Sequence, residues 1–127
     1  QHEAAVRSIA TGLKDLKILK GSLDSIIERG SYRKFFVHRT SHWLGMDVHD
    51  VGEYRLSDDW RLLEPGMVLT VEPGIYVPAS KGFPAAWQGI GIRIEDDVLV
   101  TRKDPEVLTH GVPKAPDQIE ALMASSH

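Results

Sequence analysis

The sequence predicts an α+β fold, a mainly antiparallel sheet with flanking helices, and three observations carry that expectation. Near the start, Ala5, Ile9, Leu13, Leu16 and Leu19 recur at close to helical spacing, with Lys and Asp between them. The middle of the chain holds short apolar and β-branched runs, at 67–71, 75–77 and 98–101, bounded by Gly, Pro and Asp. Close to the other end, Pro116-Asp117-Gln118 opens a second helical stretch. Helix, several strands, then helix is an order that suits α+β architecture.

Taken in order, residues 1–20 read as the first helix, weakened at Gly12 and stopped by Gly21. Ser22 or Asp24 then caps a short turn that runs through Ile27 and ends at Gly30. The aromatic run Tyr32-Arg33-Lys34-Phe35-Phe36-Val37 predicts a strand entering His38. Residues 45–62 read as an irregular connection. Extended chain at 67–71 and 75–77 flanks Glu72-Pro73-Gly74, with a break at the proline, and 78–89 is a loop. Gly91-Ile92-Arg93-Ile94-Glu95 alternates, so Ile92 and Ile94 share one face while Arg93 and Glu95 share the other. Asp96-Asp97 reads as a tight turn into a strand over 98–101. A Pro-containing loop leads to the last helix over 119–123. Glu-Pro-Gly occurs at 64–66 and again at 72–74, too close for a repeat architecture, so these read as two independent turns.

Composition narrows the function. The 127 residues suit one domain, and 15 Lys+Arg against 18 Asp+Glu give a net charge of −3. Nucleic-acid binding needs a concentrated positive field that this balance does not supply. No apolar run approaches the roughly 20 residues that cross a bilayer, and no signal-peptide pattern opens the chain. Cysteine is absent, which excludes disulfides, thiolate chemistry and Cys-based zinc sites. The expectation is a soluble cytoplasmic protein with no nucleic-acid and no membrane partner. The unusual feature is six His, with His38, His42 and His49 inside twelve positions. His2, His110 and His127 are assigned no function.

His38 and His42 would share one metal ion if they lay on a helix. On an extended chain they stand about 13 Å apart, at roughly 3.3 Å per residue, and must do different work. The plain alternative is two hydrogen-bonded histidines in a half-buried sheet. Glu72 lies between apolar runs, where an ionised carboxylate is paired, binds a metal or becomes neutral. Pro73 biases Glu72 to an extended conformation. Glu64, beside Arg61, reads as solvated. Arg93 and Glu95 alone would be an ordinary ion pair on one strand face, about 7 Å apart along the chain. Asp96 and Asp97 read as turn residues. One imidazole and two carboxylates from separate segments suit Mn²⁺, Co²⁺ or Zn²⁺.

The block His38-Arg39-Thr40-Ser41-His42-Trp43-Leu44-Gly45-Met46-Asp47-Val48-His49-Asp50 resembles the signature of the proline peptidases, that is, Xaa-Pro aminopeptidases (aminopeptidase P) and prolidases. These belong to the metallopeptidase family with the pita-bread fold. Residues 63–76 and 89–97 resemble the next two blocks, and 112–123 resembles the carboxyl terminus of bacterial aminopeptidase P. Methionine aminopeptidases fit less well, having a shorter histidine block. The resemblance implies that His42, Glu72 and Glu95 are metal ligands, with Glu95 bridging two ions, most simply Mn. It implies that Glu72 also relays a proton, that His38 and His49 contact substrate, and that Arg93 organises the site. The implied substrate is a peptide with proline at the second position; a homo-oligomer is the expected assembly, since half a sheet leaves an edge and an apolar face exposed.

The family's two remaining ligands are aspartates on an upstream hairpin, and no Asp here stands in that context. Residues 1–127 therefore resemble the carboxyl-terminal part of a pita-bread catalytic domain, half of that fold. Two alternatives stand beside this expectation: a catalytically silent, self-associating module, and a prolidase-type dipeptidase.

Overall fold

The computed structural model describes residues 1–125; His127 lies outside them. In chain order the elements are α1 (His2–Asp15), α2 (Leu23–Glu28), a 3-10 turn (Ser31–Lys34), β1 (Arg55–Leu56), β2 (Asp59–Trp60), β3 (Val68–Val71) and β4 (Gly74–Tyr76). A second 3-10 turn (Ala85–Trp87), β5 (Gly91–Arg93), β6 (Asp96–Leu99), β7 (Glu106–Val107) and α3 (Pro116–Ala124) follow. All strand pairs are antiparallel. The described residues form two compact units, Gln1–Ser41 with Glu72–Glu95, and His42–Val71 with 96–125.

The first unit is built on an aliphatic and aromatic core. α1 buries Val6, Ile9, Ala10 and Leu13, spaced to fall on one helical stripe. Each fully buried Leu or Ile contributes about 2 kcal/mol, which is why the stripe rather than propensity holds a helix with Gly12 inside it. The helix ends at Asp15, earlier than the periodicity predicts. Lys17 adopts a left-handed φ of 58°, and the amides of Ile18 and Leu19 both bond back to Leu13 O. Leu19 therefore reaches the core from outside the helix, while Leu16 is half exposed. Ser22 caps α2 by accepting from Ser25 N, and Gly30 ends that segment at φ 63°.

The strand expected over 32–37 does not form. Tyr32 and Phe35 are three apart, so a 3-10 turn places them on one side. Tyr32, Phe35 and Phe36 are all buried, and both Phe amides bond to Tyr32 O. The aromatic run satisfies the core by winding, which a pleated strand exposing alternate side chains could not do. β4 and β5 pair Gly74 with Arg93, Ile75 with Ile92 and Tyr76 with Gly91.

In the second unit, β6 is central between β3 and β7. Asp96 and Asp97 are strand residues, paired with Val71 and Thr70, not a turn. The loop expected after residue 101 contains β7, which pairs with Val98 and Leu99. The irregular 45–62 segment contains the hairpin β1–β2, turned through Ser57 at φ 57°. Only the first Glu-Pro-Gly makes a tight turn, with Gly66 at φ 97° and Met67 N bonded to Glu64 O. The second runs directly from β3 into β4. Pro116 sits in the first turn of α3, where its missing N–H costs nothing.

Candidate metal centre

Strand register sets the position of the acidic groups. The β3–β6 ladder ends with Val71 opposite Asp96, so the next residues outward are Glu72 and Glu95. One carboxylate oxygen of each lies within 4.8 Å of the other. Two like charges at that separation repel by about 3 kcal/mol at an effective dielectric near 20, less where one of them faces water. Glu95 does face water, whereas Glu72 is only 8% exposed. Glu72 N donates to Thr40 O at 2.8 Å, which fixes its backbone.

On the other side of β3, Thr70 N donates to His42 O, and His42 N donates to the Thr70 hydroxyl at 3.1 Å. Alternation puts Thr70 and Glu72 on the same face of the chain. His42 is thus held beside Thr70, two residues before Glu72. Its Nδ1–H donates to Trp43 O at 2.9 Å, so a neutral ring carries its lone pair on Nε2. The His49 ring lies 4.3 Å from that of His42. The loop between them is tied by Asp50 N donating to Trp43 O and by Trp43 N donating to the Tyr54 hydroxyl. Trp43 also stacks on the Tyr54 ring.

His38 is arranged differently, with both ring nitrogens bonded. Nδ1–H donates to Arg39 O at 2.7 Å, and Nε2 accepts from the Tyr76 hydroxyl at 2.9 Å. The Tyr76 oxygen in turn accepts from Arg93 Nε–H at 2.8 Å. That hydrogen bond, ahead of the nearby carboxylates, raises the Arg93 pKa above its ordinary value. The pairing expected between Arg93 and Glu95 is replaced by one with Glu72, at 3.3 Å from Nη1.

One group of connected side chains therefore joins His38, Tyr76, Arg93 and Glu72, with Glu95 close by, and a second joins His42 and His49. Tyr76, Thr70 and Thr40 were not singled out by sequence reading. A tyrosine in a short apolar strand carries no signal of its own; its hydroxyl acquires a role only when β4 pairs with β5 and faces Arg93. Asp96 is engaged by Thr109 and Lys114 rather than by a turn. The Thr109 hydroxyl first, and Lys114 second, hold the Asp96 carboxyl below its ordinary range.

Two carboxylates at this separation suit a divalent cation. The close glutamates also favour one, since Arg93 contacts only Glu72 of the pair.

Comparison with known proteins identifies the family. The chain is 53% identical to the Xaa-Pro aminopeptidase of Escherichia coli over 95% of its own length and 27% of the relative's. Its fold superposes on the aminopeptidase PepP of Pseudomonas aeruginosa with a TM-score of 0.93 and 58% identity, covering 98% of this chain and 28% of that one. It also matches zinc-substituted aminopeptidase P of E. coli in complex with product, with a TM-score of 0.88 and 52% identity, over 96% of this chain and 28% of that one. The chain thus spans little more than a quarter of the length of these relatives. The model of metallopeptidase family M24 matches residues 1–102, and the chain belongs to that family.

Proposed function

We propose that residues 1–127 are the carboxyl-terminal part of the catalytic domain of a metal-dependent Xaa-Pro aminopeptidase. Its reaction is release of the N-terminal residue from peptides with proline at the second position. His42, Glu72 and Glu95 would hold a divalent metal, with Mn²⁺ the expected occupant over Co²⁺ or Zn²⁺. The reading rests above all on the juxtaposed glutamates at the end of the β3–β6 ladder, where a cation offsets a repulsion that one guanidinium only partly relieves. The Xaa-Pro aminopeptidase relatives supply the substrate class. A cytoplasmic homo-oligomer is the accompanying expectation. Among the described residues, no helix is long and apolar enough to cross a membrane.

When bound, divalent cations acidify water and polarise a scissile carbonyl. The residues of this chain do the rest. Glu72, buried, with its backbone fixed by Thr40 O and its carboxylate against Arg93, can take a proton and pass it toward the departing proline nitrogen. His38 is fixed in one tautomer by Arg39 O and is oriented by Tyr76, which prepares it to contact substrate. His49 is the second substrate histidine and donates toward the oxygen on which charge develops. Arg93 holds Glu72 and Tyr76 together, so that carboxylate and imidazole keep their directions.

The test separates ligand from substrate histidine. Mn²⁺ is titrated by calorimetry into the chain, its His42→Ala variant and its His49→Ala variant, with turnover of an Xaa-Pro peptide measured beside it. His42→Ala loses Mn²⁺ affinity, whereas His49→Ala keeps the affinity and loses rate. Equal behaviour of the two refutes the assignment.

A second reading, a silent self-associating module, is favoured by Ile92, Ile94, Leu122 and Met123, all exposed. Sedimentation decides it: a concentration-dependent mass without turnover supports the module, and a turning-over monomer excludes it. Cleavage confined to dipeptides would indicate the prolidase-type alternative.

A further inference from the structure

Glu95 is weakly placed for a residue that is to hold its direction. It is exposed and lies between β5, which ends at Arg93, and β6, which begins at Asp96, so no strand hydrogen bond is its own. The next residue is held far more firmly. The Thr109 hydroxyl donates to Asp96 Oδ1 at 2.6 Å while accepting from Asp97 N at 3.2 Å. Lys114 Nζ donates to the same Asp96 oxygen at 2.9 Å and to Thr109 O at 3.1 Å. Leu108 N donates to Asp97 O at 2.8 Å. Asp96, Thr109 and Lys114 thus close a ring of polar contacts that fastens residues 108–114 to the first turn-free residues of β6. Alternation along an extended chain directs the Asp96 side chain away from the face that carries Glu95. The contacts of the ring all fall within residues 96–114, so it reaches Glu95 only through the backbone.

We infer that Thr109 and Lys114 are positioning residues for Glu95: by clasping Asp96 they fix the backbone from which Glu95 reaches the cation, and so set its affinity. The inference rests on the assignment of Glu95 as a metal ligand made above. Groups behind a ligand, removed one at a time, typically change metal affinity by 10- to 100-fold. A clasp acting through one peptide bond belongs at the low end, about tenfold.

Thr109→Val and Lys114→Met are compared with Thr109→Ser, which keeps the hydroxyl, and with Glu95→Gln. Two readouts are taken: Mn²⁺ dissociation constant by calorimetry, and amide hydrogen exchange at 95–97 in the cation-free chain. The expected result is faster exchange at 95–97 and about tenfold weaker Mn²⁺ binding in Thr109→Val and Lys114→Met, with Thr109→Ser close to the parent. A lower melting temperature with unchanged Mn²⁺ affinity makes the ring merely structural and overturns the inference. If neither the parent nor Glu95→Gln binds Mn²⁺, the ligand assignment fails. Exchange at 95–97 still decides the clasp in that case, and unaltered exchange in both variants overturns it.

Discussion

Gly74→Ala probes a crowded point of the site beside His38. A Cβ at position 74 would stand 2.7 Å from the Tyr76 hydroxyl, 3.0 Å from Tyr76 Cε2 and 3.0 Å from His38 Nε2. It would fall on the hydrogen bond that orients His38. The phenol is rigid, and on its other side a Cβ at Gly91 would already come within 3.2 Å of Tyr76 Cδ1, so the ring fits between two glycines. It must swing, lengthening its 2.9 Å bond to His38 and its 2.8 Å bond from Arg93 past hydrogen-bonding range. The His38 bond is worth about 1 kcal/mol and a ring forced off its rotamer costs about 1 kcal/mol more. Together these about 2 kcal/mol amount to roughly a 30-fold loss of rate if His38 acts in the transition state. Imidazole nitrogen NMR on the chain reads the local change, as loss of the single Nδ1–H tautomer of His38. Turnover of an Xaa-Pro peptide reads the rate. An unchanged His38 spectrum with turnover within twofold of the parent would refute the reasoning.

Gly12→Ala is the counterpart in open space. Nothing beyond the local helix backbone lies within 4 Å of the added Cβ and the site is inside α1, so the chain should gain about 0.8 kcal/mol in thermal unfolding, with His38 unaffected. Acid stability follows Asp96, whose carboxyl is held low by Thr109 and then Lys114. A depressed carboxyl stabilises the fold fully above its unfolded value near 3.8, and that contribution is lost as pH falls through the lower folded value. Thr109→Val should therefore flatten the stability curve below pH ~4, as read by urea midpoints at several pH values; a parallel curve would show that the bond contributes nothing.

Much of the candidate ligand set was legible because two of its members break a local pattern. Glu72 interrupts an apolar stretch, and three histidines crowd one short window. Glu95 continues an alternation that faces Arg93 the same way. The partners were less visible. Arg93 pairs with Glu72 rather than Glu95 because β4 and β5 place Gly74 opposite Arg93, a register that no single strand encodes. The 32–37 run was misread for a related reason. Aromatic residues favour strands on average, but Tyr32 and Phe35 gain more by burying together, and packing overrode propensity. Asp96 and Asp97 carry the residue types of a turn, yet β3 offers them a ladder, and a paired backbone outweighs the local preference.

The placement of the acidic pair at a strand end has a consequence for precision. Side chains alternate along extended chain, so a one-residue slip of β6 against β3 would send Glu95 to the opposite face and bring Asp96 beside Glu72. The apolar residues of β3 resist such a slip only modestly, because Leu69 alone among them is well buried. The clasp of Asp96 by Thr109 and Lys114 lies on the β7 side of β6 and would travel with it, so it does not select the register. The contacts that a slip must break are those at the other end of the ladder, where Gly66 N donates to Val100 O and Val100 N donates to Met67 O. That separates the tasks: β3 and β6 supply the distance between the glutamates, and the turn at Gly66 holds the register in which Glu95, and not its neighbour, faces Glu72.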